Sequence, residues 1–239
     1  KTVADAAAML QVIAGFDARD PTSKQVDIPE NMALMKSDVK GKVIGVNEEY
    51  FFNQVDAPIE KLVRAQIAEL EKQGAIIKTV SIPALQHAEY VELITSLSEA
   101  STIHHDDMLH RADDFGDDIR LLFELGELPT AVEYLHAQQL RRELKQQFTA
   151  LFEEIDVLIA PTLPILPPDI GSDLSKFNGD DVFLLNHIIR FTGPSNLTGL
   201  PALTIPCGLV DGLPVGLQII GPAFQEQKIF NIALAIEAQ

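Results

Sequence analysis

Cysteine is almost missing from this chain: Cys207 is the only one in 239 residues. A single thiol excludes an intrachain disulfide and gives no cysteine framework for a metal. Basic residues are scarce as well. Lys and Arg together number 18 against 35 Asp and Glu, a formal net charge of −17. A surface so negative repels phosphate backbones and anionic lipid, which argues against nucleic acid and membrane as partners. No apolar run approaches the roughly 18–20 residues that a membrane helix requires. The first residues form a charged, Ala-rich helical stretch rather than a secretory signal. Internal repeats and low-complexity linkers are lacking, as are a G-x-S-x-G nucleophile elbow and a G-x-x-x-x-G-K-[ST] phosphate loop. Together these features predict a cytoplasmic protein. The sequence begins at Lys1 without Met, and is therefore expected to start inside a longer protein.

What is present is ordinary globular material, 46% hydrophobic and 22% charged, enough for one domain or two intimately packed. Residues 2–14 place Val3, Ala6, Ala7, Leu10 and Ile13 at helical spacing, with Thr2 as the cap and Gly15 as the stop. Residues 42–47 read as a short buried strand, 56–73 as an amphipathic helix ended by Gly74, and 76–82 as a strand stopped by Pro83. Strand, helix and strand in this order predict a parallel βαβ unit. A helix follows over 87–103, with Tyr90, Leu93, Ile94 and Leu97 on its apolar side. A long one is predicted from Thr130 to Ile155, with a stripe of Val132, Leu135, Leu140, Leu144, Phe148, Leu151 and Phe152. Residues 156–161 are a third buried strand, 180–190 a short helix, and 225–237 a closing helix. The fold class is α/β: a mixed β-sheet sandwiched by helices, with about five strands and six or seven helices.

Three constellations invite a chemical reading. His104, His105, Asp106, Asp107, His110, Asp113, Asp114, Asp117 and Asp118 supply metal-ligand types, but not at H-E-x-x-H spacing. A solvated acidic segment explains them better, and no metal is predicted there. Ser195 stands among turn residues and reads as a turn hydroxyl. Cys207 has no neighbouring His and reads as a packing thiol. Asp17 and Asp20 fit an Asp-Pro turn.

The stretch 191–225 holds five of the 14 prolines. Residues 196–201 (N-L-T-G-L-P) read as a turn, with Gly199 tolerating positive φ. Residues 202–209 and 215–220 are apolar strand-like runs, and Asp211-Gly212 between them is a hairpin signal. Pro206 cannot donate to a ladder, so it belongs at a bulge or an edge.

The ordered residues Phe191-Thr192, Asn196-Leu197-Thr198-Gly199-Leu200-Pro201-Ala202, Pro206-Cys207-Gly208 and Gly212 through Gly221 resemble the C-terminal hallmark of the amidase signature family. That family includes bacterial amidases, fatty acid amide hydrolase and the A subunit of glutamyl-tRNA amidotransferase. T-V-A-D-A-A with A-G-x-D-x-x-D-P-T-S at residues 2–23 and D-V-L-I-A-P-T at 156–162 extend the likeness. The resemblance implies hydrolysis of a carboxylic amide to acid plus ammonia or amine, without metal or organic cofactor. Family members use two Ser and a Lys from a Gly/Ser-rich region that this sequence lacks. Residues 1–239 are thus expected to be the C-terminal portion of an amidase domain, carrying no catalytic residue. The missing N-terminal half is expected as a partner, with possible self-association. Ile189, Phe191 and Thr192 map to the segment facing the substrate's acyl part. In the amidotransferase branch an acidic residue at the place of Ile189 holds the ammonium of glutamine, which disfavours glutamine here. Arg120 maps loosely to a contact for a substrate carboxylate. Two other readings compete: a non-catalytic binding or regulatory protein that kept the fold, and a metal-dependent hydrolase built on residues 104–118.

Overall fold

The computed structural model describes residues 2–27, 35–172, 174–177, 180–183 and 185–238. The chain opens with α1 (Val3–Ile13), whose cap is Thr2: its hydroxyl accepts from Asp5 N, and the Asp5 carboxylate accepts from Thr2 N. Gly15 does not take the left-handed conformation, and Ala14 ends the helix in an extended one. Then follow β1 (Val43–Val46), α2 (Glu48–Phe51), α3 (Ala57–Lys72) and β2 (Ile76–Thr79). Gly74, at φ +99°, closes α3 in a Schellman arrangement, with Ala75 N on Leu70 O and Gly74 N on Glu71 O. Pro83 opens a 3-10 turn (Pro83–His87) into α4 (Ala88–Ile103). The acidic stretch forms α5 (His105–Arg111) and the start of α6 (Asp117–Gly126). Next comes α7 (Ala131–Leu151), with a capping box between Thr130 and Glu133, and then β3 (Val157–Pro161).

The expected short helix over 180–190 is only partly there. Residues Leu174–Phe177 (β4) and Asp180–Phe183 (β5) pair as an antiparallel hairpin, and α8 (Leu185–Ile188) follows. The N-L-T-G-L-P turn is the end of a short helix, α9 (Gly193–Thr198), with Pro194 in its first turn. Gly199 stops it at φ +70°, the positive value its sequence implied. The strands β6 (Ala202–Val210) and β7 (Leu213–Ile220) and the helix α10 (Glu226–Glu237) complete the fold.

The main sheet has five strands in the order β2-β1-β3-β7-β6. β1 runs parallel to β2, as the βαβ pattern predicted, and also to β3, whereas β7 is antiparallel to β3 and β6. β3 sits at the centre with all five residues buried, so both of its faces are covered. On the sheet pack α3, against β2, β3, β6 and β7, and α10, against β6 and β7; α1 lies on α10. Asp211 (φ +51°) and Gly212 (φ +79°) both take positive φ, which makes the β6–β7 connection a type I′ hairpin. Pro206 lies where the register shifts and on an edge strand, satisfying both options open to it. As an edge strand β6 is half-buried rather than the fully buried run expected; Ile205 and Cys207 point inward.

Two helix faces differ from their sequence stripes. On α4 the buried line is Ala88, Val91, Thr95 and Ser101, while Tyr90 and Leu93 stay exposed. The cause is close helix approach: a Cβ on Gly126 of α6 would lie 2.0 Å from Ser101 Oγ and 2.2 Å from Leu97 O. On α7, Val132 and Leu135 are 75% and 61% exposed, and the helix is anchored through Ala137, Leu144 and Phe148.

The hairpin offers an internal test of these packing assignments. Ile219→Ala, at a fully buried site on β7, should lower unfolding free energy by about 2–5 kcal/mol. Leu209→Ala, at an exposed position of β6, should shift it by no more than about 0.5 kcal/mol. Urea denaturation followed by circular dichroism measures both, and equal losses would contradict the burial pattern.

Candidate functional site

In sheets with parallel strands, binding sites form outside the carboxyl ends of those strands. Here that region is occupied by residues 189–199, which are tied to the strand ends by buried side chains. Asn47, directly after β1, is 1% exposed. Its Nδ2 donates to Val80 O just past β2 (3.0 Å), and its Oδ1 accepts from Tyr50 N (2.9 Å). The Tyr50 hydroxyl then donates to Arg190 O at 2.8 Å. From β7, Gln218 Nε2 donates to Pro161 O at the end of β3 (3.1 Å) and to Phe191 O (2.9 Å). Within the segment, Ile189 O accepts from Gly193 N (2.8 Å) and Thr192 Oγ1 (3.2 Å). Thr192 O accepts from Ser195 Oγ (2.8 Å). On the far side, Arg141 Nε of α7 donates to Leu197 O at 2.6 Å.

The electrostatics are equally local. Arg190 is 8% exposed, with its guanidinium 5.3 Å from the Tyr50 ring centroid and 5.1 Å from that of Phe191. Its Nε lies 3.3 Å from Glu89 Oε1, but the N–H is not directed at that oxygen and has no hydrogen-bond acceptor. The pair is therefore an ion contact without a hydrogen bond. Burial, reinforced by the charge of Glu89, pushes the Tyr50 hydroxyl far above its ordinary range, so it stays a donor. Glu92, three residues on from Glu89, rests against Gly193: a Cβ there would sit 1.5 Å from Glu92 Oε2. Burial first, and the Glu89 charge second, raise the Glu92 carboxyl to about 7.

Of the residues read from sequence, Ile189 and Thr192 are half-buried and reach the surface. Phe191 does not. It is fully buried, with its ring 5.6 Å from Phe51 and 6.0 Å from Tyr50, because the aromatic cluster fills the space under the segment. Ser195 is buried, and its proton is committed to Thr192 O, the turn-hydroxyl role expected of it. Cys207 is buried with its thiol pushed up to about 11 by desolvation, an inert packing group. Asp17 pairs with Arg19, and Asp20 accepts from Thr22 N and Oγ1. Arg120 is taken up by Asp113 and Asp117.

The acidic stretch 104–118 disperses its charges in local pairs. Asp107 binds Arg111 and His104; His105 reaches Glu127, and His110 reaches Asp106 O. The His104 ring stacks on Phe123 at 4.8 Å. Among the described residues no group of three or more His, Cys, Asp or Glu is arranged to hold a metal ion. Nor is any described helix long and apolar enough to cross a membrane. Sequence reasoning missed Tyr50, Glu92, Arg190 and Gln218. Of these only Gln218 left a signal, a lone amide inside the apolar run V-G-L-Q-I-I.

This arrangement is an α/β scaffold presenting a rigid polar segment at its parallel-strand ends. A family model described as Amidase matches residues 1–230. An amidase of Pseudomonas putida is 38% identical over 239 residues, covering 99% of this chain and 51% of that protein. The A subunit of glutamyl-tRNA(Gln) amidotransferase from Pseudomonas savastanoi pv. phaseolicola is 36% identical over 257 residues, with 98% and 52% covered. A solved structure, described as a vestigial protein complex revealing the evolutionary origins of an s-triazine catabolic enzyme, superposes with a TM-score of 0.89. It is 25% identical and is matched over 99% of this chain and 51% of its own. The chain belongs to the amidase signature family. It spans about half the length of the curated relatives it matches.

Glu92 gives a pH signature with a defined sign. Its folded pKa lies above the unfolded value, so unfolding releases a proton and stability falls as pH rises from about 4.5 to about 7. Glu92→Gln removes that fall. The variant should gain on the parent between pH 5 and pH 8 in urea denaturation, and a constant difference would contradict the raised pKa.

Proposed function

We propose that this chain is the C-terminal portion of an amidase, supplying core and substrate-binding segments to an enzyme that hydrolyses a carboxylic amide to acid plus ammonia or amine. The observation that carries the reading is the family match over residues 1–230 in a chain covering 51–52% of its relatives. The sequence has no Gly-Gly-Ser-Ser-Gly-Gly run to provide a nucleophile, and Ser195 lacks a free proton path because it is bonded to Thr192 O. An activated nucleophile needs a base within hydrogen-bond reach and oxyanion donors about 2.7–3.1 Å from the developing charge. On this reading the chain alone is inactive, and catalysis requires the N-terminal half of the domain.

The exposed apolar side chains support that partner. Tyr90, Leu93, Ile103, Leu121, Val132 and Leu135 on α4, α6 and α7 are the kind of surface a second body covers. Self-association through the same surface is the alternative occupant. Ile189 and Thr192 face the acyl part of the substrate in this proposal, with Phe191 supporting them from beneath. No metal or organic cofactor enters the reaction, and the single cysteine accords with a cytoplasmic site of action. The competing reading, a binding or regulatory protein that kept the fold, differs in predicting no turnover under any complementation.

Ammonia release from a panel of amides decides between them. The 239-residue chain should be silent alone and active when the N-terminal half is supplied. Activity of the chain alone, abolished by Ser195→Ala, would overturn the proposal and make Ser195 the nucleophile. In the complete enzyme Ile189→Asp should shift preference toward substrates carrying a free ammonium group; an unchanged preference would remove Ile189 from the pocket.

A further inference from the structure

The backbone of residues 189–192 is held at four successive carbonyls. Those of Ile189 and Thr192 are satisfied from within the segment, by Gly193 N and Thr192 Oγ1 and by Ser195 Oγ. The middle two are held from outside it, Arg190 O by the Tyr50 hydroxyl and Phe191 O by Gln218 Nε2. Both outside donors are buried, and they come from 140 residues before and 27 residues after their acceptors. Neither bond belongs to a sheet ladder or to a helix. The Tyr50–Arg190 contact is reciprocal, since Arg190 Nη2 reaches Tyr50 O at 3.5 Å while the guanidinium lies over the Tyr50 ring.

We propose that Tyr50 and Gln218 are positioning residues for substrate recognition: they fix the carbonyls on either side of Phe191, and so hold the chain that carries Ile189 before it and Thr192 after it, whose own carbonyls are bonded locally. The inference rests on the acyl-recognition reading of that segment. Its physical basis is that a held carbonyl fixes the orientation of its peptide plane, so two held in succession set the backbone angles of Phe191 and with them the relative placement of the residues before and after it. Rotation of the 190–191 peptide plane would strand Arg190 O, and rotation of the 191–192 plane Phe191 O, away from water, which is costly. The two donors therefore act as hinge pins, while Ile189 and Thr192 carry the contact surface. Tyr50 is suited to this task because its proton is retained at any physiological pH, and Gln218 because an amide does not titrate. The anchors trace to the strand ends, Tyr50 through Asn47 to Val80 O and Gln218 to Pro161 O, so the segment inherits the rigidity of the sheet.

Tyr50→Phe deletes one O–H and keeps the ring against Phe51 and Phe191; Gln218→Met deletes the amide at similar volume. Two measurements test the assignment. In the 239-residue chain, each variant should speed amide hydrogen exchange at Gly193 and Asn196 by about tenfold or more, with Leu158 and Ile219 in the sheet unchanged. Exchange that accelerates equally across the sheet, or nowhere, overturns a local positioning role. In the complete enzyme, the ratio of kcat/KM between the best and poorest acyl groups of a homologous amide series should fall at least about fivefold. A uniform fall for all substrates, with that ratio preserved, marks a purely structural role and overturns the proposal. Failure of the wild-type complete enzyme to release ammonia or amine from any amide overturns instead the reading on which it rests.

Discussion

One amide nitrogen, Nε2 of Gln218, donates to two carbonyls that have no other reason to meet. Pro161 O ends the central strand β3, and Phe191 O lies in the segment before α9. A Gln at the centre of an apolar strand is costly unless its donors are used, and a 2% exposed one can use them only on protein. The requirement works in both directions. Gln218 is tolerated because 189–199 comes down onto the sheet, and that segment is held because Gln218 is there. Tyr50 applies the same logic at the next carbonyl, and its own placement depends on Asn47 bridging the ends of β1 and β2. The candidate site is thus a consequence of how three parallel strand ends satisfy their polar groups.

A second constraint governs the helical side. α4, α6 and α7 pack through Gly126, Ser101, Ala88, Thr95 and Ala137, small residues that let the helix backbones approach. At the closest of these contacts, Gly126 against Ser101 Oγ and the Leu97 carbonyl, no larger side chain fits. This explains why Tyr90, Leu93, Val132 and Leu135, which form persuasive stripes in the sequence, stand in the open. It also gives the exposed apolar surface a physical origin: tight internal packing on one face leaves the opposite face for another body. Coverage of only about half the relatives' length is consistent with such a body being the remainder of the domain.

The legible parts of the fold were those set by local chemistry. The Thr2 cap, the helix start at Thr130, the Gly74 stop, the Asp211-Gly212 turn and the Pro206 bulge all depend on a few adjacent residues, and all appear where the residues placed them. The parallel pairing of β1 and β2 followed from strand, helix and strand in succession. What periodicity did not reveal was which apolar stripe a helix turns inward, because that is chosen by the neighbour's size. The short β4–β5 hairpin was also missed, since L-S-K-F and D-D-V-F lack a sustained alternation. Of the residues that the resemblance pointed to, Ile189 and Thr192 reach the surface, but Phe191 belongs to an aromatic cluster with Tyr50 and Phe51 that only the tertiary fold assembles. Tyr50 and Glu92 carry no sequence signature at all, being defined by contacts across 140 and 101 residues.

Glu92 and Arg190 show how the same segment manages charge. The buried guanidinium and the half-buried carboxylate have different surroundings: Arg190 lies by Glu89 and the two aromatic rings, while Glu92 rests on Gly193. Burial, and after it the nearby charge of Glu89, favours the neutral form of the Glu92 carboxyl, which is why it titrates so high. The cationic side chain is consequently committed to the scaffold and not available as a recognition group. All of the bonds that fix residues 189–192 use backbone carbonyls, a hydroxyl or an amide, and none uses the Ile189 side chain. The Thr192 hydroxyl makes one of those bonds, donating to Ile189 O, so of these two surface-reaching side chains Ile189 is the one left free to change without loss of the fold. On the proposed reading, substrate preference can therefore be altered at position 189, whereas positions 50 and 218 need their hydrogen-bond donors to hold the segment.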